Sequence, residues 1–185
     1  MLIMKTKNRI LLLVSLLMGS TISNGQTNYY AATQTIDKNG FTYQCDNPYG
    51  RITLYNANSQ FIYAEWERKD GQPVSASIYG GREETTEEDD WTARRSWEIV
   101  DSVFTQPERT QLMGAKMMVT LIISSDTGRV IEVKFQFLDH SAFTNIPVEK
   151  FYSIEQALKQ NIWFIVTPVG RQMNYLMAGW MHEIK

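Results

Sequence analysis

The clearest pattern of hydrophobic and polar positions lies between Lys116 and Leu138, where the two kinds of residue alternate along two consecutive runs. The odd-numbered positions of both runs are apolar: Met117, Val119, Leu121, Ile123, Ile131, Val133, Phe135 and Phe137. Alternation of this kind is typical of strands with one buried face and one solvated face. The two runs therefore predict a β-hairpin, and Glu132, Lys134 and Gln136 are expected on its wet face.

Asp126-Thr127-Gly128 separates the two runs. Odd residues of both strands can share one face only if the loop holds an odd number of residues, because a one-residue slip turns every side chain over. A three-residue loop with Gly128 in the left-handed region meets this condition. It would pair Ile123 with Ile131 and Leu121 with Val133.

The N-terminal half contains short runs rich in β-branched and aromatic residues, separated by Asp, Asn, Pro and Gly. Such runs, at a spacing of roughly ten residues, predict an antiparallel β-meander over residues 26–82. Its strands are predicted at residues 27–36, 41–46, 51–55, 60–66 and 74–79.

An acidic loop and two helices are predicted over residues 83–114. The carboxylates of residues 80–90 favour a solvated loop that leads into a helix N-terminus, with a calcium site as a remote alternative because their spacing matches no calcium-binding loop. A helix is predicted at residues 91–104. Its expected buried face consists of Ala93, Trp97, Val100 and Phe104. Thr105 and Glu108 form a capping-box signature for a short second helix that ends near Gly114.

A further helix begins at Pro147, and its spacing predicts a buried stripe and a solvated face. The buried residues are expected to be Val148, Phe151, Ile154 and Leu158, and the solvated ones Glu149, Lys150, Glu155 and Lys159. Residues 173–184 then predict a last strand that is apolar, and hence covered, on both faces. These elements predict an α+β fold, an antiparallel sheet with two main α-helices packed on one face.

The C-terminal third contains VTLIISSDTGRVIEVKFQF at residues 119–137 and, after the helix, QNIWFIVTPVGRQ at residues 160–172. This hairpin–helix–strand order over about residues 115–185 resembles the C-terminal domain of TonB. The matching positions are Val119, Gly128, Val130, Trp163, Phe164, Pro168 and Gly170. The resemblance implies that a strand or short peptide is added to a free sheet edge. The whole chain also resembles uncharacterised exported bacterial proteins classed as a domain of unknown function.

The N-terminus has the layout of a signal peptide. Three basic residues within the first nine precede an apolar run at residues 10–18, and small and polar residues follow. We predict a signal peptide at residues 1–25 and a single domain at residues 26–185. The apolar run is shorter than the roughly 20 residues that span a bilayer, so no transmembrane segment is expected after cleavage; an uncleaved anchor is the alternative. Export with Cys45 as the single cysteine favours the periplasm or cell surface of a Gram-negative bacterium.

Charge and motifs argue against several function classes. The net charge of −2 gives no electrostatic basis for binding nucleic acid. The chain has two histidines and one cysteine, and no metal-binding, phosphate-binding or nucleophile motif includes them. We therefore predict no catalytic, metal or cofactor-binding residues. His140 is expected at the surface, His182 in a packing or hydrogen-bonding role, and Cys45 as a buried thiol.

The leading hypothesis is a non-enzymatic binding module that recognises an envelope protein through a free edge strand, formed by residues 27–36 or 173–184. The alternative is a glycan-binding protein that uses surface aromatic residues. Its candidate residues are Tyr29, Tyr30, Tyr49, Tyr55 and Trp91, whereas Trp97 and Trp163 are expected in the core. A small hydrolase is a third hypothesis, which the missing motifs disfavour.

Overall fold

The computed structural model describes residues 28–79, 81 and 84–185, so the predicted signal peptide at residues 1–25 lies outside the described residues. The strands are β1 Gln34–Lys38, β2 Phe41–Asp46, β3 Arg51–Asn56, β4 Lys116–Ile123, β5 Val130–Leu138 and β6 Leu176–Glu183. They form one antiparallel sheet in the order β1-β2-β3-β5-β4-β6. The central hairpin of β4 and β5 thus lies inside the sheet, and β1 and β6 are its edges.

Four helices accompany the sheet among the described residues: α1 Ala76–Tyr79, α2 Thr92–Val103, α3 Gln106–Leu112 and α4 Val148–Asn161. The longest, α4, packs on the centre of the sheet, where the Phe151 ring stacks on Phe137 at 5.6 Å and meets Phe135 edge-on at 5.2 Å. Helix α2 reaches the same face of β6 through a 2.9 Å contact between Asp101 and His182 Nε2. The predicted α+β fold, with two main helices on one face of an antiparallel sheet, is confirmed.

The central hairpin keeps the predicted faces of Leu121 and Val133, but its turn differs from the prediction. Leu121 pairs with Val133 as expected, but Ser124 closes the turn with Arg129, which leaves a loop of residues 125–128. An even-numbered loop would turn one strand over. A bulge at Ile131 restores the register, because Ile122 pairs with Glu132 whereas Ile123 pairs with Val130. The predicted pairing of Ile123 with Ile131 is therefore wrong, and Ile131 lies off the main core.

Gly128 has a φ of 71°, which confirms the predicted left-handed conformation. Its carbonyl accepts a 2.8 Å hydrogen bond from Phe164 N, in the segment between α4 and β6. A Cβ atom at Gly128 would collide with the carbonyl oxygen of Phe164. Glycine is thus required both by the turn and by the close approach of a second backbone.

Two predicted strands of the N-terminal half are wrong. Residues 60–66 form an irregular segment, because the Glu132 carboxylate takes the N–H groups of Gln60 (2.6 Å) and Phe61 (3.0 Å). Glu132, expected in water, is consequently buried beneath that segment. Residues 74–79 contain the single-turn helix α1. The first strand begins only at Gln34, after a turn that contains Tyr30.

The helices confirm the predicted capping box, but the buried faces of two helices differ from the prediction. Thr105 and Glu108 make both capping-box contacts at the start of α3. Helix α2 buries Val100 and Phe104 as predicted, but Trp97 is 44% exposed, and Thr92, Ser96 and Ile99 are buried instead. The α4 stripe is confirmed, but Glu155, expected in water, is buried.

Burial of Glu155 is explained by Tyr43 on β2, whose hydroxyl donates to the carboxylate at 2.5 Å. Lys159, one turn later on α4, lies 3.4 Å from the other carboxylate oxygen. The pKa of Tyr43 is raised far above its ordinary range, mainly by burial of the phenol and secondly by the nearby Glu155 carboxylate. The tyrosine therefore remains a proton donor at every physiological pH, and the bond ties α4 to the sheet.

The close approach at Gly128 can be separated from left-handed strain by comparing two glycines. Gly40, in the β1–β2 turn, has a φ of 86° and no atom within 4 Å of the Cβ position. We expect Gly40→Ala to lower the free energy of unfolding by about 1 kcal/mol through backbone strain alone. Gly128→Ala should lower it by roughly 2–4 kcal/mol, since overpacking is added. Urea unfolding measures both, and equal losses would contradict the role of the Phe164 contact.

Tyr43→Phe removes only the hydroxyl that satisfies the buried Glu155 carboxylate. We expect a loss of about 1–3 kcal/mol, because an unsatisfied buried acceptor bears its desolvation cost. Tyr152→Phe is the matched control: its ring stacks on Phe41, but no hydrogen bond from its hydroxyl links it to another described residue. That control should change stability by less than about 0.5 kcal/mol, and indistinguishable effects in urea unfolding would refute the assignment.

Candidate functional site

The outer edge of β6 presents unpaired backbone groups, and two hydrogen bonds establish which residues carry them. Ile184, directly after the strand, donates its N–H to Ala115 O at 3.2 Å, on the β4 side. Tyr175, directly before it, accepts the Trp66 indole N–H at 2.9 Å on its carbonyl. Backbone groups of successive strand residues point to alternate sides. Even-numbered residues of β6 therefore face β4, and odd-numbered residues face outward.

The outward residues are Met177, Gly179, Met181 and Glu183. Within the described part of the chain, no hydrogen bond reaches their outward N–H and C=O groups. Exposed edges in monomeric proteins are usually protected by Lys, Pro, bulges or short length. The outward positions of β6 hold neither Lys nor Pro, and the strand is eight residues long. The edge is thus open to pairing with another strand.

The opposite edge, β1, is protected by comparison. It is five residues long, and all of its residues except Ile36 are exposed. Asp37 and Lys38 give it charge, and Lys38 approaches Glu149 of α4 at 3.9 Å. Both predicted edge segments do form edges of the sheet, but β6 is the longer and less polar of the two.

Methionines flank the β6 edge on the sheet face away from the helices. Met177 and Met181 are 51% and 55% exposed, so the prediction that this strand is covered on both faces is wrong. Met181 lies beside Met118 of β4 in register. A cavity of about 380 Å³ lies between these two residues and Leu138, with Arg51 and Lys116 also in its lining. Met side chains adapt to varied apolar partners.

The five aromatic candidates for a glycan surface do not converge on one site. Tyr30 is fully buried, with its hydroxyl bonded to Ile146 O at 2.7 Å, so its prediction as a surface residue is wrong. Tyr49 is fully exposed at the β2–β3 turn with a φ of 56°, and Tyr29 is 43% exposed beside β1. Trp91 packs on Trp163 at 4.5 Å, and Trp163, expected in the core, is 46% exposed.

Tyr55, the remaining candidate, lies in a groove that sequence reasoning did not detect. The groove encloses about 530 Å³ on the open face of the sheet and is lined in part by Gln44, Asp46, Tyr55 and Tyr63. The Asp46 carboxylate accepts hydrogen bonds from Tyr63 (2.7 Å), Tyr55 (2.9 Å) and Gln44 Nε2 (2.9 Å). The two tyrosine rings meet edge-on at 5.8 Å. The only indication of this groove in the sequence was the group of polar aromatic residues near Asp46. The incorrect prediction of a strand at residues 60–66 concealed it.

These contacts determine the protonation states of the titratable side chains in the groove. Partial burial alone would raise the pKa of Asp46, but hydrogen bonds from Tyr63, Gln44 and Tyr55 outweigh it and lower the pKa below its ordinary value. Burial and the bond to Asp46 raise the pKa of Tyr63 to about 12 and also raise that of Tyr55. At neutral pH the groove therefore holds an ionised carboxylate between two protonated phenols.

The cysteine and the two histidines share no contact with one another. Cys45 is buried, and burial followed by the nearby Asp46 charge raises the pKa of its thiol to about 11. His182 is buried against Asp101, whereas His140 is exposed beside Asp139. In the described ranges, no three His, Cys, Asp or Glu side chains come together in a way that could hold a metal ion. Nor is any described helix long and apolar enough to cross a bilayer.

Comparison with known proteins assigns this chain to a family. The sequence profile of DUF5043, described as a domain of unknown function, matches residues 26–180. The crystal structure of a DUF5043 family protein from Bacteroides uniformis ATCC 8492, at 1.85 Å resolution, matches with a TM-score of 0.77 and 31% sequence identity, over 86% of this chain and 89% of that one. None of the curated proteins matches the sequence significantly. The chain belongs to the DUF5043 family.

The family match confirms the resemblance to proteins classed as a domain of unknown function. It does not test whether such proteins are exported. The narrower resemblance of the C-terminal third to TonB is not shown by these comparisons. In this chain the hairpin of β4 and β5 is followed by α4 and then by β6. It brings the last strand to the sheet edge beside β4.

The pH dependence of stability tests the groove. Because the folded pKa of Asp46 lies below its ordinary value of about 3.9, the ionised carboxylate contributes stability above that pH, and this contribution is lost as pH falls through the folded pKa. We expect Asp46→Asn to be less stable than the parent protein at neutral pH by about 1 kcal/mol or less. The difference should shrink under acid conditions in urea unfolding across pH. A difference independent of pH would contradict the hydrogen-bonded carboxylate.

Proposed function

We propose that this chain is an exported, non-enzymatic binding module that pairs an extended segment of an envelope protein with the outer edge of β6. The observation that carries the proposal is the row of free backbone groups on Met177, Gly179, Met181 and Glu183. An extended partner would satisfy these N–H and C=O groups by adding a seventh strand. This is also the mode implied by the resemblance to TonB.

Contacts at the two ends of the free edge limit the length of the partner segment that can pair with it. Trp66 caps the Tyr175 carbonyl at the start of the strand, and Lys116 pairs with Glu183 at 3.3 Å near its end. Between them about seven residues remain, enough for a short strand of typical length. Main-chain hydrogen bonds would supply affinity, and the exposed methionines would contact alternate partner side chains on the open face. We expect an extended segment with apolar residues at every second position.

The glycan hypothesis has less support, since its five candidate aromatics are separated and one of them is buried. A hydrolase would need a nucleophile beside a base. The Cys45 thiol is held protonated by burial, and the described contacts of both histidines are with carboxylates. These observations favour the binding hypothesis over both alternatives.

Gly179 offers a matched test, because its N–H faces outward. Proline is tolerated on an edge strand where its missing N–H faces solvent. We expect Gly179→Pro to keep the fold and to abolish cross-linking to the partner in the native cell envelope. Gly179→Ala should retain cross-linking, since it keeps the N–H and its Cβ would have its nearest contacts at 3.4 Å. Cross-linking that survives Gly179→Pro in a folded protein would refute pairing at this edge.

Hydrogen exchange gives a second readout of the same prediction. In the isolated protein, the amides of Ala178 and Trp180 should be protected by β4, whereas those of Gly179 and Met181 should exchange rapidly. Addition of the cross-linked partner should slow exchange at the odd-numbered positions by about ten-fold or more. Unchanged exchange at those positions in the complex would place the partner elsewhere.

A further inference from the structure

The groove around Asp46 has chemistry that suits one class of ligand, and it does not depend on the edge of β6. In the order β3-β5-β4-β6, three strand spacings separate Tyr55 from the edge strand, which is about 14 Å at the usual spacing. The proposed partner segment and a ligand in the groove would therefore occupy different parts of the sheet.

Hydrogen bonding leaves the groove with acceptors aimed at solvent. Tyr55 and Tyr63 both donate their hydroxyl protons to the same oxygen, Asp46 Oδ2. Each phenol oxygen then presents lone pairs to a ligand, and that of Tyr63 also lies within hydrogen-bonding reach of Thr53. The other carboxylate oxygen, Oδ1, accepts one bond from Gln44, whereas a carboxylate oxygen can accept about two. A ligand would meet three acceptor oxygens held close together.

The carboxylate has no cationic partner in the described part of the chain. No Lys, Arg or His lies within 4.0 Å of Asp46, and no basic residue contributes to the lining of the groove. Lys134 is the cross-strand neighbour of Tyr55 but forms no ion pair with Asp46. The full negative charge therefore faces the groove.

Aromatic faces complete the site. The Tyr63 side chain is 68% exposed, and its ring stands edge-on to that of Tyr55 at 5.8 Å. The face of a phenol ring carries negative electrostatic potential and attracts cations. We propose that this groove binds an organic cation, an ammonium or guanidinium group, which donates to Asp46 Oδ1 and the phenol oxygens while it packs on the tyrosine rings.

Cationic and neutral ligands of similar shape distinguish this proposal from sugar binding. The cationic probes are Nα-acetyl-lysine methylamide and the corresponding arginine derivative. The neutral probes are the Nε-acetylated lysine derivative and methyl β-D-glucoside. We expect saturable shifts of groove amides in NMR titrations with the cations, and affinities weaker by about ten-fold or more for the neutral probes. Raising sodium chloride from about 0.05 to about 0.5 M should weaken cation binding several-fold.

Variants identify the residues responsible. Asp46→Asn should weaken cation binding about ten-fold or more, because the full charge is lost. Tyr63→Phe removes one acceptor but keeps the ring, so a loss of about two- to five-fold is expected; Tyr63→Ala should lose more. Tyr49→Ala alters a fully exposed tyrosine outside the groove and should leave binding unchanged.

Three outcomes would overturn the proposal. They are equal binding of the charged and neutral probes, undiminished cation binding by Asp46→Asn, and no saturable shift with any cation. Because Tyr63 is 68% exposed, we expect Tyr63→Ala to keep the fold and to remain a test if Asp46→Asn unfolds. None of these outcomes bears on pairing at β6, because three strand spacings separate Tyr55 from that edge strand.

Discussion

The register of the β4–β5 hairpin is the constraint on which the rest of the structure depends. These two strands lie inside the sheet, so β3 takes its register from β5 and β6 takes its register from β4. The pairing of Leu121 with Val133 directs Phe135 and Phe137 toward α4. The four-residue loop would reverse that arrangement, and the bulge at Ile131 prevents it by adding one residue.

The same register creates an open face with two different regions. Glu132 lies on that face and, through its two backbone hydrogen bonds, holds the segment around residues 60–61 over the sheet. That segment brings Tyr63 to Asp46 and so completes the groove. Farther along the face, Met118 and Met181 remain uncovered beside the free edge. One polar, negatively charged region and one apolar region therefore share a single sheet face.

The two sheet edges show why the position of a strand does not by itself make it a binding site. β1 is short, polar and exposed, whereas β6 presents four outward-facing residues free of Lys and Pro. An unprotected edge favours self-association as well as specific pairing. Its persistence in a folded domain is best explained if a partner strand covers it, and Trp66 and Glu183 would limit how far that strand extends.

The sequence by itself determined the elements whose signals are local. Alternation identified β4 and β5, Thr105 and Glu108 identified the start of α3, and the stripe of α4 identified its buried face, because each depends on residues a few positions apart. The polar contacts depended on distant residues. Glu155 is buried because Tyr43 lies opposite, and residues 60–66 are not a strand because Glu132 accepts the backbone N–H groups of Gln60 and Phe61. Only the tertiary structure could decide these contacts, since the partner of a side chain across the sheet is not indicated by any periodic pattern in the sequence.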